Sequence, residues 1–302
     1  MSSTPRALSG VAFTTLLVIA LMMGANHVAA RFAFNSGVDV VTAISVRSLV
    51  TAFAVGLIVW QQRVPLALSL EHKRHLPAIG VLIAIQSFCL YSAVARLPVA
   101  LALLAFNTYP LSTALWARVL YKQRPQREVL LAIPVILFGL ALALDVLGAA
   151  SGLGAVAHWA EIGMGVAFAL AASLTFGLAL VLTENGTRGL DGRLRTLSTL
   201  SIVGVMAVAV ALSGSGFQWP GAATGWWGLG ALTFLYGTAF TVMFTVLPKL
   251  GVVGNSAIMN VEPVFALLLA WALLGQTIAV TQVIGACLVV LCVMWLGLRK
   301  GR

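Results

Sequence analysis

Charge is the scarcest property of this sequence. Asp, Glu, Lys and Arg make up only 9% of its 302 residues, while 61% are apolar or aromatic. Soluble domains carry about a quarter charged residues, which lie almost entirely on the outside of a fold. A soluble protein of this length could not cover its surface with so few charges. The composition therefore excludes a soluble enzyme, a disordered chain and a nucleic-acid binder, and it predicts a polytopic membrane protein.

Cysteine is also rare, and the common cofactor motifs are missing. The three cysteines, Cys89, Cys287 and Cys292, lie in apolar runs without C-x-x-C spacing, which predicts buried reduced thiols. The sequence contains no G-x-x-x-x-G-K-[ST] nucleotide-binding loop and no H-E-x-x-H zinc motif. We therefore expect no cofactor, no metal ion, no enzymatic activity and no ATP-driven pump.

Long apolar runs are what the sequence does contain. A helix that crosses the ~30 Å hydrocarbon layer needs about 20 mostly apolar residues. The runs are continuous and rich in Leu and Ala, so they predict an all-α membrane protein and not a β-barrel. The ten predicted transmembrane helices cover residues 10–34, 38–60, 75–96, 98–118, 127–147, 161–183, 194–214, 225–247, 252–274 and 277–297.

Basic residues predict how these spans are oriented. Cytoplasmic loops of membrane proteins carry an excess of Lys and Arg. If the N-terminus lies inside, 15 of the 18 basic residues fall in inner segments, and only Arg31 and Arg96 fall in outer ones. Arg47 lies within a span. The distribution predicts a multi-pass protein with both termini in the cytoplasm.

The chain contains an internal repeat. Residues 260–276 repeat residues 107–123 at a constant offset of 153 positions. The identical pairs that are not common apolar residues are Asn107/Asn260, Pro110/Pro263 and Gln123/Gln276. The repeat predicts two five-helix units, residues 1–150 and 151–302, and the odd helix number inverts the second unit in the membrane. Inverted repeats around a central cavity are typical of secondary transporters, although duplication for stability alone would leave the same pattern.

The repeated segments also carry a family resemblance. Residues 262–270, closed by 274–276, resemble the end of an EamA domain, and residues 109–115 resemble it more weakly. The resemblance is to the drug/metabolite transporter superfamily, which implies two inverted EamA domains in a bacterial inner membrane and export of amino acids or other metabolites. A further likeness to a bacterial aromatic amino-acid exporter is the only indication of substrate. The family often has Glu where Gln123 and Gln276 stand, so a role of that acid cannot be transferred.

Two prolines interrupt predicted spans near their middle. Pro110 and Pro263 lack the amide hydrogen that would bond the carbonyl four residues earlier, so they free acceptors at membrane depth. Asn107 and Asn260 stand three residues before these prolines. Carbonyls and amides together could hold an ammonium or a carboxylate group. Alternatively, Ser or Thr side chains satisfy the carbonyls and the prolines only bend the helices.

Two charged residues lie well inside predicted spans, Arg47 and Glu262. Charge inside a membrane is costly and indicates function or a specific partner. Glu262 either binds a proton that exchanges with substrate, or pairs with Arg47 and braces two helices. The sequence leaves both roles open.

Further polar residues in the spans are candidates for a cavity lining or for packed helix interfaces. They are Asn26, His27, Gln86, Tyr91, Tyr236, Thr238 and Thr241. Thr238 and Thr241, with Thr245, form one helical stripe, for which packing is the simpler interpretation. Arg31, one turn after His27, is expected to extend towards the headgroups. Such a cavity, apolar with a few amides and hydroxyls, suits a zwitterion with a large apolar side chain.

The sequence therefore predicts a secondary transporter that works by alternating access, with a small-molecule substrate and the lipid bilayer as its partners. Its substrates are expected to be amino acids, aromatic or otherwise apolar, or their analogues. Proton coupling through Glu262 is one option. A passive channel-like facilitator and an exporter of drugs or other metabolites are the alternatives.

Overall fold

The computed structural model describes residues 10–123, 127–145, 155–245, 261–276 and 279–300, and every regular element in these ranges is a helix. The helices are α1 (Gly10–Asn35), α2 (Val40–Gln61), α3 (Leu70–Arg96), α4 (Val99–Phe106), α5 (Tyr109–Tyr121), α6 (Arg127–Ala143), α7 (Ala155–Gly186), α8 (Gly192–Ser213), α9 (Ala223–Thr245), α10 (Glu262–Leu274) and α11 (Val280–Lys300).

The described helices follow the predicted spans, with one difference in the fourth. That span is two helices, α4 and α5, because a turn at Asn107 and Thr108, just before Pro110, interrupts the regular helix. Residues 252–260, the start of the ninth predicted span, lie outside the described residues. Among the described residues, six segments are long and apolar enough to cross a membrane, and three shorter apolar helices accompany them. The chain is a multi-pass membrane protein, and the total of ten crossings stays a prediction.

Contacts between the two halves of the chain come in related pairs. Helix α1 packs along α9 as α7 packs along α3, and α10 packs on α1 as α5 packs on α7. Helix α2 packs on α8, and α6 on α11, so these pairs join equivalent helices of the two units. This is the pattern of an inverted repeat of two units. The major interfaces described here therefore lie between the units, and neither unit buries its apolar helices alone.

Two glycines mark related helix crossings. A Cβ atom at Gly24 would lie 3.0 Å from the backbone nitrogen of Ala266, and one at Gly177 would lie 2.7 Å from that of Thr113. Gly24 and Gly177 are 153 residues apart, the offset found in the sequence repeat. Small residues let helix backbones approach closely in membranes. The repeat is therefore present in the packing as well as in the sequence.

If successive spans cross the membrane in alternating directions, certain helix ends fall on the same side, and several of these ends lie close together. The hydroxyls of Ser36 and Thr224 are 3.1 Å apart at the α1–α9 end, and the backbone amide of Val99 donates to Gln276 Oε1 at 3.1 Å. At the opposite side, Arg193 donates to Gln62. These contacts join helix ends that the predicted alternation places on one side, and the alternation itself stays a prediction. Which side faces the cytoplasm stays a prediction.

Arg31 differs from its expected position. Its Nη1 donates to the backbone carbonyl of Val94 at 2.6 Å and to that of Leu97 at 3.4 Å. Those carbonyls belong to the last turn of α3, where a helix leaves acceptors without partners and where its dipole favours a cation. The half-buried arginine therefore caps α3 and does not extend towards the headgroups.

Candidate functional site

The side chain of Arg47 is the centre of the candidate site. It lies on α2 and is only 4% exposed. Its guanidinium carbon is 4.3 Å from the ring centroid of Tyr91 on α3 and 4.1 Å from that of Tyr236 on α9. Nη1 donates to the Tyr91 hydroxyl at 3.0 Å, and Nη2 donates to Ser87 Oγ at 2.9 Å. Stacking and hydrogen bonds together fix the plane of the guanidinium.

A tight connection before α2 sets the depth of Arg47. Gly37 adopts a positive φ of 92°, and the Asp39 carboxylate accepts from the backbone amide of Thr42 at 3.0 Å. An N-cap of this kind fixes where the helix starts. Arg47 follows the first helical residue, Val40, by seven positions, which corresponds to roughly 10 Å along the axis.

Helix α1 contributes two neighbouring polar residues to the same place. Asn26 is fully buried, and its Oδ1 accepts from the Tyr91 hydroxyl at 3.1 Å. His27 lies edge-on to the Tyr91 ring, with 5.8 Å between the ring centroids. Its Nε2 is 3.4 Å from Glu262 Oε1. Tyr91 therefore links α1 to Arg47.

The predicted pair of Glu262 and Arg47 is not formed. Glu262 is the first residue of α10, where the helix dipole favours a carboxylate, and its partner is His27 on α1. Within the described residues Arg47 has no carboxylate oxygen within 4 Å, because Ser87 and the two tyrosines surround it. Both charges were predicted inside the spans, but they face different neighbours.

The structure brings together eight polar residues, which we call the Arg47 cluster. It consists of Asn26, His27, Arg47, Gln86, Ser87, Tyr91, Tyr236 and Glu262. Only Ser87 was missed by sequence reasoning. A helical-face argument would have found it, because Ser87 stands four residues before Tyr91 and so on the same side of α3. Thr238 and Thr241 are half-buried further along α9.

Three buried nitrogens of the Arg47 cluster have no hydrogen-bond partner in the described part of the chain. They are Arg47 Nε, Asn26 Nδ2 and His27 Nδ1. Buried polar atoms are nearly always paired, so each exception asks for an explanation. Two of them, Arg47 Nε and Asn26 Nδ2, are unused hydrogen-bond donors at the interface of the two units.

Asn107 turns back onto its own helix. Its Nδ2 donates to the Leu103 carbonyl at 2.9 Å, and Thr108 Oγ1 donates to the Ala105 carbonyl at 2.8 Å. The Thr108 hydroxyl thus reaches the carbonyl of Ala105 and not that of Phe106, which Pro110 frees, so both interpretations of the proline motif stay open. Pro263 is buried at the start of α10. Asn260 lies outside the described residues.

Hydroxyl and aromatic groups surround the break between α4 and α5. Ser173 Oγ is 2.9 Å from Thr108 Oγ1 and 3.0 Å from Ser112 Oγ, and we call these three residues the hydroxyl cluster. The Tyr109 ring is edge-on to that of Phe176, with 5.1 Å between the centroids. Neither group belonged to the predicted site.

A groove of about 320 Å³ opens elsewhere, between α6 and α11. Its walls are apolar and include Leu131, Leu291 and Trp295. The groove shares no residue with the Arg47 cluster. The predicted central cavity stays a prediction.

Comparisons with known proteins agree with this architecture. The sequence model described as the EamA-like transporter family matches twice, at residues 10–144 and 163–298. Among 17 matching chains of solved structures, one titled "Crystal structure of protein" has a TM-score of 0.59 and 19% identity. The match covers 96% of this chain and 98% of the other, and it shows a shared fold. No curated protein matches the chain.

Proposed function

The chain belongs to the EamA-like transporter family of membrane transporters, and from this we propose that it is a secondary transporter working by alternating access. We propose that it exports small metabolites, namely amino acids with aromatic or other apolar side chains and their analogues. Export and substrate rest on the family resemblance. We also propose that the two repeat units are residues 1–150 and 151–302, and that the protein lies in an inner membrane with both termini in the cytoplasm.

One observation carries the proposal: the Arg47 cluster is assembled from both units. Arg47 and Tyr91 come from the first unit, whereas Tyr236 and Glu262 come from the second. Ionisable groups inside a membrane are expensive and are retained at substrate or ion pathways. A site between two pseudo-symmetric halves can open to one side and then to the other when the halves exchange conformations.

Efflux from proteoliposomes tests the proposed function. Vesicles preloaded with labelled phenylalanine, tryptophan, methionine or threonine are compared with vesicles that lack the protein, with and without a pH gradient. We expect saturable efflux that is accelerated by unlabelled substrate outside the vesicle. Efflux without saturation or counterflow would favour the passive facilitator. No efflux of any of the four amino acids above the background would reject the preferred substrates.

The Glu262→Gln variant tests whether a proton is exchanged. If Glu262 carries the coupling proton, the variant keeps substrate exchange without a gradient but no longer responds to pH. If the carboxylate only braces α10 on His27, the yield of folded protein falls and the gradient response of the remaining protein persists. A variant with normal yield and a normal gradient response would exclude both roles.

A further inference from the structure

Among the described residues, no carboxylate oxygen lies within 4 Å of the Arg47 guanidinium. Within the described residues its hydrogen-bond partners are two neutral hydroxyls, those of Tyr91 and Ser87. The nearest acid that the sequence suggested, Glu262, is bound to His27. A buried cation without an anion is expensive in a membrane protein, and packing alone does not repay that cost.

Three of the five N–H groups of the Arg47 guanidinium have no hydrogen-bond partner among the described residues. The Tyr91 and Tyr236 rings lie within about 4 Å of the guanidinium carbon. A guanidinium has five N–H groups, and Arg47 uses two of them, one on each terminal nitrogen. Its Nε has no partner. The remaining N–H groups form the planar fork that fits the two oxygens of a carboxylate.

A neighbouring amide on α1 adds a further donor to the same cluster. Asn26 Nδ2 is buried without a partner among the described residues, although its Oδ1 accepts from Tyr91. Asn26 contacts Tyr91, as Arg47 does. The two unpartnered groups, Arg47 Nε and Asn26 Nδ2, can only donate, so they match an anion, which carries only acceptors, and do not match an ammonium group.

We propose that Arg47 is the subsite for a carboxylate of the transported molecule, and that the carboxylate is required whereas the substrate ammonium is dispensable. The inference rests on the proposed function and defines its substrate class by the carboxylate, so that organic monoanions are included beside amino acids. We expect apolar substituents beside the carboxylate to be favoured, because the Tyr91 and Tyr236 rings lie next to Arg47.

Competition with two phenylalanine analogues tests the carboxylate subsite. 3-Phenylpropionate lacks the ammonium group, and phenylalanine amide lacks the carboxylate. In the efflux assay we expect 3-phenylpropionate to compete nearly as well as phenylalanine, and the amide to compete at least about tenfold less well, since it forfeits a charged hydrogen bond. Thermal unfolding of the purified protein with each analogue gives a second readout that needs no transport.

Two variants test whether the preference for the acid over the amide depends on Arg47. Arg47→Lys keeps the positive charge but loses the planar fork of N–H groups, and we expect the preference for 3-phenylpropionate over phenylalanine amide to shrink. Arg47→Gln loses both the charge and the fork, and we expect this preference to vanish. Arg31→Lys is the matched control, because Arg31 caps α3 outside the Arg47 cluster. It is expected to keep the preference.

The outcomes separate this inference from the proposed function. Robust efflux that is inhibited equally by acid and amide would overturn the carboxylate subsite and leave amino-acid transport standing. Absence of amino-acid efflux, combined with stabilisation of the wild-type protein by 3-phenylpropionate, would overturn the proposed substrate and support the subsite. If Arg47→Gln does not fold, the comparison of the two analogues on the wild-type protein decides. If it folds and keeps the preference, the subsite is wrong.

Discussion

The Arg47 cluster and the region related to it by the repeat share a backbone plan but not a chemistry. At the offset of 153 residues, Asn26, His27, Arg47 and Gln86 correspond to Ala179, Leu180, Leu200 and Ala239, and Glu262 corresponds to Tyr109. One region therefore collects charges and unpartnered donors. The other contains aromatic rings and the hydroxyl cluster, whose members bond to one another and to the Ala105 carbonyl.

The difference between the two regions reflects two separate requirements of a carrier, matched helix packing and a polar binding site. The matched helix contacts give the two halves equivalent packing, which is what an exchange of conformations needs. Binding needs only one polar site, and each buried charge in a membrane is costly. A second charged site would add that cost without adding a substrate. Symmetry is therefore kept in the helix crossings and lost in the side chains of the site.

We expect the largest effect, a loss of thermal stability, from substitutions at the two related helix crossings. Gly24→Ala and Gly177→Ala each place a methyl group against the backbone of a neighbouring helix, at 3.0 Å and 2.7 Å. Overpacking of this kind costs about 1–3 kcal/mol, and more where the backbone cannot move. We expect both variants to lose thermal stability, Gly177→Ala more than Gly24→Ala. Stability equal to that of the wild-type protein at either position would show that the crossing is looser than described. Gly230→Ala, where a Cβ meets open space, is the control.

Two substitutions with effects of intermediate size distinguish the Arg47 cluster from the hydroxyl cluster. Tyr91→Phe removes the hydroxyl that joins Arg47 to Asn26, so we expect about a tenfold loss of apparent substrate affinity, as for a hydrogen bond to a charged group. Ser173→Ala breaks the hydroxyl cluster and is expected to cost about 1–3 kcal/mol of stability, from the buried hydroxyls it leaves unpaired, with no change in affinity. Concentration dependence of efflux and thermal unfolding measure the two quantities. An affinity change in Ser173→Ala would mean that the second region also contacts substrate.

The smallest effect concerns two related helix caps. Asp39 caps α2, and Asp191 caps α8 with its carboxylate on the backbone amide of Arg193 at 2.8 Å. The side-chain hydrogen bond from Arg193 holds the pKa of Asp191 below its usual range. The stabilisation is complete above the unfolded-state pKa of about 4 and is lost as pH falls through the lower folded-state pKa.

Unfolding of Asp191→Asn between pH 7 and pH 3 measures this contribution, which should stay below about 1 kcal/mol because the pair is partly exposed. Asn still caps a helix, so the variant removes the charge and keeps the cap. A pH dependence unchanged from that of the wild-type protein would show that the pair with Arg193 contributes nothing.

The sequence predicted the fold more completely than the site, for physical reasons. Hydropathy and the repeat depend on composition along the chain, so helix positions and the inverted relation could be read directly. Depth in the membrane could be predicted for Arg47 and Glu262, but their lateral placement depends on tertiary packing. That is why the pairing of Glu262 with His27 was missed. Asn107 was placed correctly at a helix break, but a local hydrogen bond to Leu103 occupies its amide.

The paired helix contacts have a consequence for the origin of the chain. An ancestral polypeptide with only one five-helix unit would leave most of its apolar helices unburied, because those helices pack on the other unit. Two copies inserted in opposite orientations would supply the same contacts without a covalent link. Such an ancestor would have needed nearly equal numbers of basic residues in the loops at its two ends, so that neither orientation was excluded. Fusion into one polypeptide would then have let the two copies diverge, and only one of them needed to acquire the arginine.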